Sequence, residues 1–193
     1  MIDDDRKLLK RLGYGNPPDV EPTTAEPRPP MEVLDRLLAL RAVVSVAHGL
    51  DGAAGRRLVD GFDVSHALTP DEVEYLEDAA EGVRVEDAAR ATAVEAMAAL
   101  AWALDLTPEL PLDDPVDLAE VPDDVPEAPT LRAVEELRRM HDLHVAMEFA
   151  LRADPDLAVG AAPGSVDPYV VHQRYDPLRI VLRLDETEPS GDR

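Results

Sequence analysis

Apolar residues in this chain recur at helical spacing along most of its length and at strand spacing almost nowhere. From Met31 onward, Val33, Leu37, Leu40 and Val44 share one face at 100° per residue, and the pattern runs to about His48, where Gly49 stops it. The run Thr69-Pro70-Asp71-Glu72 is a capping box with proline at the first helical position, which predicts a helix over roughly 70–80. The stretch AVEAMAALAWAL, Ala93 to Leu104, lies in a helix predicted over roughly 85–106 that is apolar on every side. A helix of that kind belongs at the centre, contacted all round. Thr130 is placed to cap a further helix to about Ala153, with Val134, Leu137, Met140 and Leu151 on a broad apolar side. Asp167-Pro168 and Asp176-Pro177 each look like an N-cap followed by proline, opening short closing helices. Only VLRL, Val181 to Leu184, alternates like a strand, and weakly. The pattern predicts an all-α protein, a single compact domain of five to seven helices.

Two segments break the periodicity. Residues 13–30 hold six prolines and read as an extended linker after a short N-terminal helix. Residues 107–129 hold six more, with eight acids and no base, and read as an acidic surface loop without long regular structure. The expected organisation is therefore a short helix plus linker over 1–30, a helical domain over 31–185 and a flexible tail over 186–193.

Composition narrows the function classes. With 193 residues one domain is expected. No cysteine is present, so disulfides, thiolate nucleophiles and cysteine-built zinc sites are excluded. The formal charge is 19 − 41 = −22, which repels a phosphate backbone and argues against nucleic-acid binding. It suits a basic protein partner or an imitation of nucleic acid, or is simply the solvated face of a highly soluble protein. Of the nineteen bases seventeen are Arg, and only Lys7 and Lys10 are Lys, which together with the wealth of Ala and Pro resembles the output of a high-GC bacterial genome. The opening residues MIDDDRKLLKRLGYG lack an apolar core of the signal-peptide type, and the longest apolar run is too short to span a bilayer, so a soluble cytoplasmic protein is expected. No GxSxG surrounds Ser45, Ser65, Ser165 or Ser190, and no glycine loop precedes Lys-Ser or Lys-Thr. The acids Asp113, Asp114 and Asp117 lack the glycine and closing Glu of a calcium hand.

Candidate chemistry rests on polar residues placed on apolar faces. Glu95 has only Ala91, Thr92, Ala98 and Ala99 three and four residues away, so its partner must come from another element. Arg41 lies on or beside the apolar face of the Met31 helix, as does His48, and is the expected partner. Failing that, a histidine of the 141–144 pair would serve. The alternatives are a structural ion pair, a functional pocket of Glu95, Arg41, His141 and His144, or simple exposure. On the Thr130 helix, His141, His144 and Glu148 fall in the middle of the apolar side at spacings of three and four, which is compatible with one divalent metal completed by Glu95 or His48. A hydrogen-bonded, half-buried cluster is the competing reading. Glu135, Arg139 and Asp142 are expected to face water.

The segment VEAMAALAWALDLTPELP resembles the signature of an uncharacterised bacterial family, domain of unknown function 4272. That family carries Glu-Ala-Leu, a spacer, Trp-Ala-Leu and then a Leu-Pro loop, matched here by Glu95-Ala96-Met97, Trp102-Ala103-Leu104 and Leu110-Pro111. The segment TPDEVEYLED, the positions Asp142, Leu143 and Phe149, and the late VVHQRY are also similar, so the likeness covers roughly 31–185. It implies one helical domain with Glu95 and Trp102 as shared positions, and it implies no reaction. Two functions remain expected: a non-catalytic acidic protein that binds another, possibly basic, protein; or a metal-dependent or general acid/base enzyme using His141, His144 and Glu148. No other cofactor is indicated.

Overall fold

The computed structural model describes residues 3–83, 88–91, 93–112, 114–154, 157 and 168–184. Within these residues the chain forms α1 (Asp3–Arg11), α2 (Pro30–Ala47), α3 (Gly52–Phe62), α4 (Pro70–Ala80), a single turn α5 (Ala88–Ala91), α6 (Val94–Ala103), α7 (Val134–Ala153) and α8 (Pro168–Val181). Seven of these have nine residues or more, and no strand occurs among the described residues. The all-α fold follows. Short 3-10 turns at Ser65–Ala67 and Leu118–Glu120 interrupt the connections.

The helix α6 is the axis of the domain. All ten of its residues are buried, including Glu95, and it packs against α2 on one side and α8 on another. Its side chains join those of α2, with Val33, Leu37, Val43 and Val44 at its heart, in the larger apolar cluster. A smaller cluster holds Leu9 and Tyr14 from the N-terminal region against Leu143, Met147 and Val171. The tight α3–α4 hairpin depends on Gly52, where a Cβ would stand 2.3 Å from the carbonyl carbon of Ala79.

Helix starts follow their capping chemistry unevenly. At α4 the Thr69 hydroxyl accepts from the Glu72 N–H and the Glu72 carboxylate accepts from the Thr69 N–H, completing the expected box. At α7 Thr130 does not cap. The helix begins after Ala133 with no side-chain cap, because Leu131 and Arg132 stay outside it, where the Arg132 N–H reaches the Ala103 carbonyl at 3.0 Å. Of the helix expected over 85–106, the described residues form α5 and α6, with Ala93 in a turn, while residues 85–87 and Thr92 lie outside the described residues. Nor does Asp176-Pro177 open a new helix. Pro177 lies inside α8, where it removes one N–H from the ladder while the buried Arg174, Leu178 and Val181 on either side hold the helix through it. The residues VLRL end α8 and turn, and form no strand. Asp113, Asp167 and residues 186–193 lie outside the described residues.

The 13–29 stretch has neither helix nor strand, and it is docked onto the helices. Tyr14 and Pro17 are buried. The Thr23 N–H donates to Asp142 at 3.3 Å, Arg138 donates to the carbonyls of Ala25 (2.9 Å) and Thr24 (3.0 Å), and the Arg28 N–H donates to Val181 at 2.7 Å. This strap explains why Asp142, expected in water, is buried. It lies under the strap and accepts from it.

Candidate functional site

Glu95 is buried, and its partner is Arg174. The guanidinium Nε donates to Oε2 at 2.8 Å and Nη2 to the same oxygen at 2.7 Å, with the Arg174 side chain 0% exposed. The other carboxylate oxygen accepts the Val116 N–H at 2.8 Å. Arg174 also donates through Nη1 to the Pro111 carbonyl and through Nη2 to the Asp114 carbonyl, the latter at 2.7 Å. A buried guanidinium needs several acceptors in a fixed fork, and a carboxylate plus two free carbonyls supply them. The pair is thus the knot that ties α6, α8 and the acidic segment together.

The expected Glu95–Arg41 pair does not form. Arg41 instead donates to the carbonyls of Pro122 and Asp123, the latter at 2.8 Å. Burial lowers its pKa and the Asp123 carboxylate partly restores it. The physical reason is which face of α6 carries Glu95. That face meets α8 and the 111–116 backbone, whereas Arg41 leaves α2 towards residues 122–123. Arg174 was missed because Asp176-Pro177 suggested a break. On an unbroken helix Arg174 falls four residues before Leu178 and three after Val171, squarely on the apolar stripe.

Trp102 sits with Arg132 rather than with Glu95. The Arg132 guanidinium lies 5.0 Å from the Trp102 ring centre and donates to the carbonyls of Trp102 (2.8 Å), Thr107 and Pro108 (3.1 Å). Three arginines, from α2, α8 and the extended entry to α7, therefore hold the 107–129 segment by its backbone.

The histidine set does not converge. His141 Nδ1 faces the Asp142 carboxylate at 3.1 Å and its ring stacks on Tyr175 at 5.9 Å. Burial lowers its pKa, against the opposing pull of Asp142. His144 is fully enclosed, and its Nδ1 donates to the Met140 carbonyl at 2.9 Å. Its Nε2 is buried without a hydrogen-bond partner among the described residues. Burial, with the nearby charges of Arg174 and His141, depresses its pKa to about 4, so the imidazole is neutral at pH 7. Glu148 bonds His172 at 3.2 Å and Arg152 at 3.3 Å. Three side chains on one helix face thus serve three different partners. Among the described residues no group of three or more His, Asp or Glu is arranged to hold a metal ion. His48, weighed as a fourth ligand, is exposed and donates through Nε2 to the Ala91 carbonyl at 2.7 Å.

A second carboxylate–guanidinium pair, Arg36–Glu72, is bidentate at 2.6 and 2.7 Å and half-enclosed between α2 and α4. Burial alone would raise the Glu72 carboxyl, but Arg36 and the hydrogen bonds with Thr69 together outweigh it and the net pKa is lowered. No helix among the described residues is long and apolar enough to cross a membrane.

The family model for Domain of unknown function (DUF4272) matches residues 6–186, almost the whole chain. The chain belongs to the DUF4272 family. Its match begins within α1 and takes in the strap, so the family's unit includes the N-terminal region as well as the helices from Met31. No curated protein and no solved structure matches the chain. In this member of DUF4272, the Glu95 and Trp102 positions of the family-like signature are each bound up with holding the 107–129 segment.

Proposed function

We propose that this DUF4272 protein is a cytoplasmic, non-catalytic binding module whose partner is a basic protein, engaged through the 107–129 segment. One observation carries the reading. Glu109, Asp114, Asp117, Glu120, Asp123, Asp124 and Glu127 are all exposed, while the backbone beneath them is pinned by Arg41, Arg132 and Arg174. A row of carboxylates on a pre-shaped backbone presents its charge without having to order the chain on binding, which lowers the entropic cost of association. Its field attracts a basic surface and speeds encounter.

The test is cross-linked capture from an extract of the native host. A variant with Glu109→Gln, Asp114→Asn, Asp123→Asn, Asp124→Asn and Glu127→Gln keeps every arginine contact to the backbone. Wild type should capture basic proteins whose yield falls as ionic strength rises, and the variant should lose them. Capture of the same proteins by the variant, or only of acidic ones by wild type, would refute the proposal.

A further inference from the structure

The acidic segment forms one wall of a groove. Arg41, Ser45 and His48 on α2 make the opposite wall, and Val94 and Met97 of α6 make the floor, enclosing about 680 Å³. That is within the roughly 300–1,000 Å³ typical of ligand pockets. The segment's own wall alternates in character. Val116, Leu118 and Val121 line the groove alongside Asp117 and Asp123.

From this arrangement we infer that the groove is the docking site for a short basic segment of the partner protein, one that carries aliphatic side chains between lysines or arginines. The inference rests on the reading of the chain as a binder of basic proteins, and names where and by what chemistry it binds. Charge complementarity selects the occupant. Two carboxylates, Asp117 and Asp123, line the groove against one guanidinium, Arg41, whose donors are turned onto the Pro122 and Asp123 carbonyls. Glu120 and Asp124 on the same segment add exposed negative charge. A second copy of this chain, at −22, would be repelled, and the C-terminal sequence DETEPSGDR is itself acidic. A cationic occupant is favoured at the rim, and half-buried Val116 and Leu118 leave apolar surface for an aliphatic side chain. The wall is also held in place before binding, because the Val116 N–H is fixed by Glu95 and the Pro122 and Asp123 carbonyls by Arg41. The arginine that fails to pair with Glu95 thus has a task of its own, shaping the groove.

Two labelled peptides of equal charge separate this inference from the broader reading: acetyl-KLKLKLKL and acetyl-KSKSKSKS, followed by fluorescence anisotropy at one ionic strength. The leucine peptide should bind about tenfold more tightly, the gain expected from partial burial of one leucine side chain. Ala119→Trp, an exposed position on the wall, should fill the groove and erase that advantage. On wild type, methyl resonances of Val116, Leu118 and Val94 should shift with the leucine peptide, a readout that does not depend on the variant folding. If both peptides bind equally and these methyls stay still, the groove is refuted and the acidic-surface reading survives. If neither peptide binds, both fall.

Discussion

Two proline-rich segments, 13–30 and 107–129, carry six prolines each, yet they are fastened in different ways. Proline supplies a carbonyl and no N–H, so such a chain has surplus acceptors that it cannot satisfy within itself. Both segments solve this with arginine. Arg138 of α7 donates to carbonyls of the first, and that segment's own Arg28 donates outward to the Ile180 carbonyl of α8, both from partly exposed positions. The second is tied by Arg41 and Arg132 and, at its root, by Arg174, which is fully enclosed together with Glu95. The first segment is a strap laid over a finished bundle, and the second is built into the bundle. A composition of seventeen Arg to two Lys acquires a structural meaning here, since only the planar guanidinium offers a five-donor fork to several carbonyls at once.

The contrast is broken most directly at Arg174. Arg174→Met strands the Glu95 carboxylate in the core and should cost about 3–5 kcal/mol in urea unfolding. Hydrogen-exchange protection should be lost around residue 116 and kept at residues 23–28. The double variant Glu95→Leu/Arg174→Met should recover only part of the loss, because the Pro111 and Asp114 carbonyls and the Val116 N–H remain without their partners. Full recovery would mean that the pair supports the helices alone and that the segment is held elsewhere.

A second test addresses the α7–α8 seam, where His144 of α7 lies near Arg174 of α8. His144 has a folded pKa of about 4 against an unfolded value near 6.5. Its depressed value means the unfolded chain takes up the proton first, so stability is lost as pH falls from about 6.5 to about 4 and is flat above that window. The loss should approach about 3 kcal/mol across it. Equilibrium unfolding at a series of pH values should show the slope in wild type and a shallower one in His144→Gln. Equal slopes would mean that His144 is hydrated in solution.

Smaller effects should sort by segment. Arg132→Met and Arg138→Met should each cost about 1–3 kcal/mol by leaving carbonyls unpaired. Limited proteolysis should then cut near 107–110 in the first and near 23–26 in the second. If Arg138→Met costs as much as Arg174→Met, the strap is as integral as the acidic segment and the contrast fails. The smallest change belongs to the exposed Arg6–Asp19 pair at 2.6 Å, where Asp19→Asn should alter stability by less than about 0.5 kcal/mol. A larger shift in the thermal midpoint would show that the strap's outer ion pair matters after all.

Much of the architecture was legible along the chain because it depends on local rules. Thr69, Pro70 and Glu72 specify their helix start through hydrogen bonds within four residues, and Gly49 marks the end of α2. The all-apolar AVEAMAALAWAL marks the buried centre for the same kind of reason, since a helix with no polar face must be surrounded. Thr130 misled because a good cap residue is only a local preference, and the long-range contacts of Arg132 moved the helix start past it. Pro177 misled in the opposite sense, since buried contacts on both sides carried α8 through a residue that disfavours helix.

By itself, the sequence determined the helical class, the place of α6 in the core, the irregularity of the two proline-rich segments and the necessity of a distant partner for Glu95. Each of these follows from periodicity, backbone chemistry or the cost of an unpaired buried charge, and none requires knowing which elements are neighbours. Only the tertiary structure decided that the partner is Arg174, that Arg41 serves the Pro122 and Asp123 carbonyls, and that His141, His144 and Glu148 part company. Pairing of this kind depends on helix azimuth and on where a loop's carbonyls happen to lie. A rotation of one position, 100° on a helix, turns a side chain from one neighbour to another without altering the apolar pattern that placed the helix in the core.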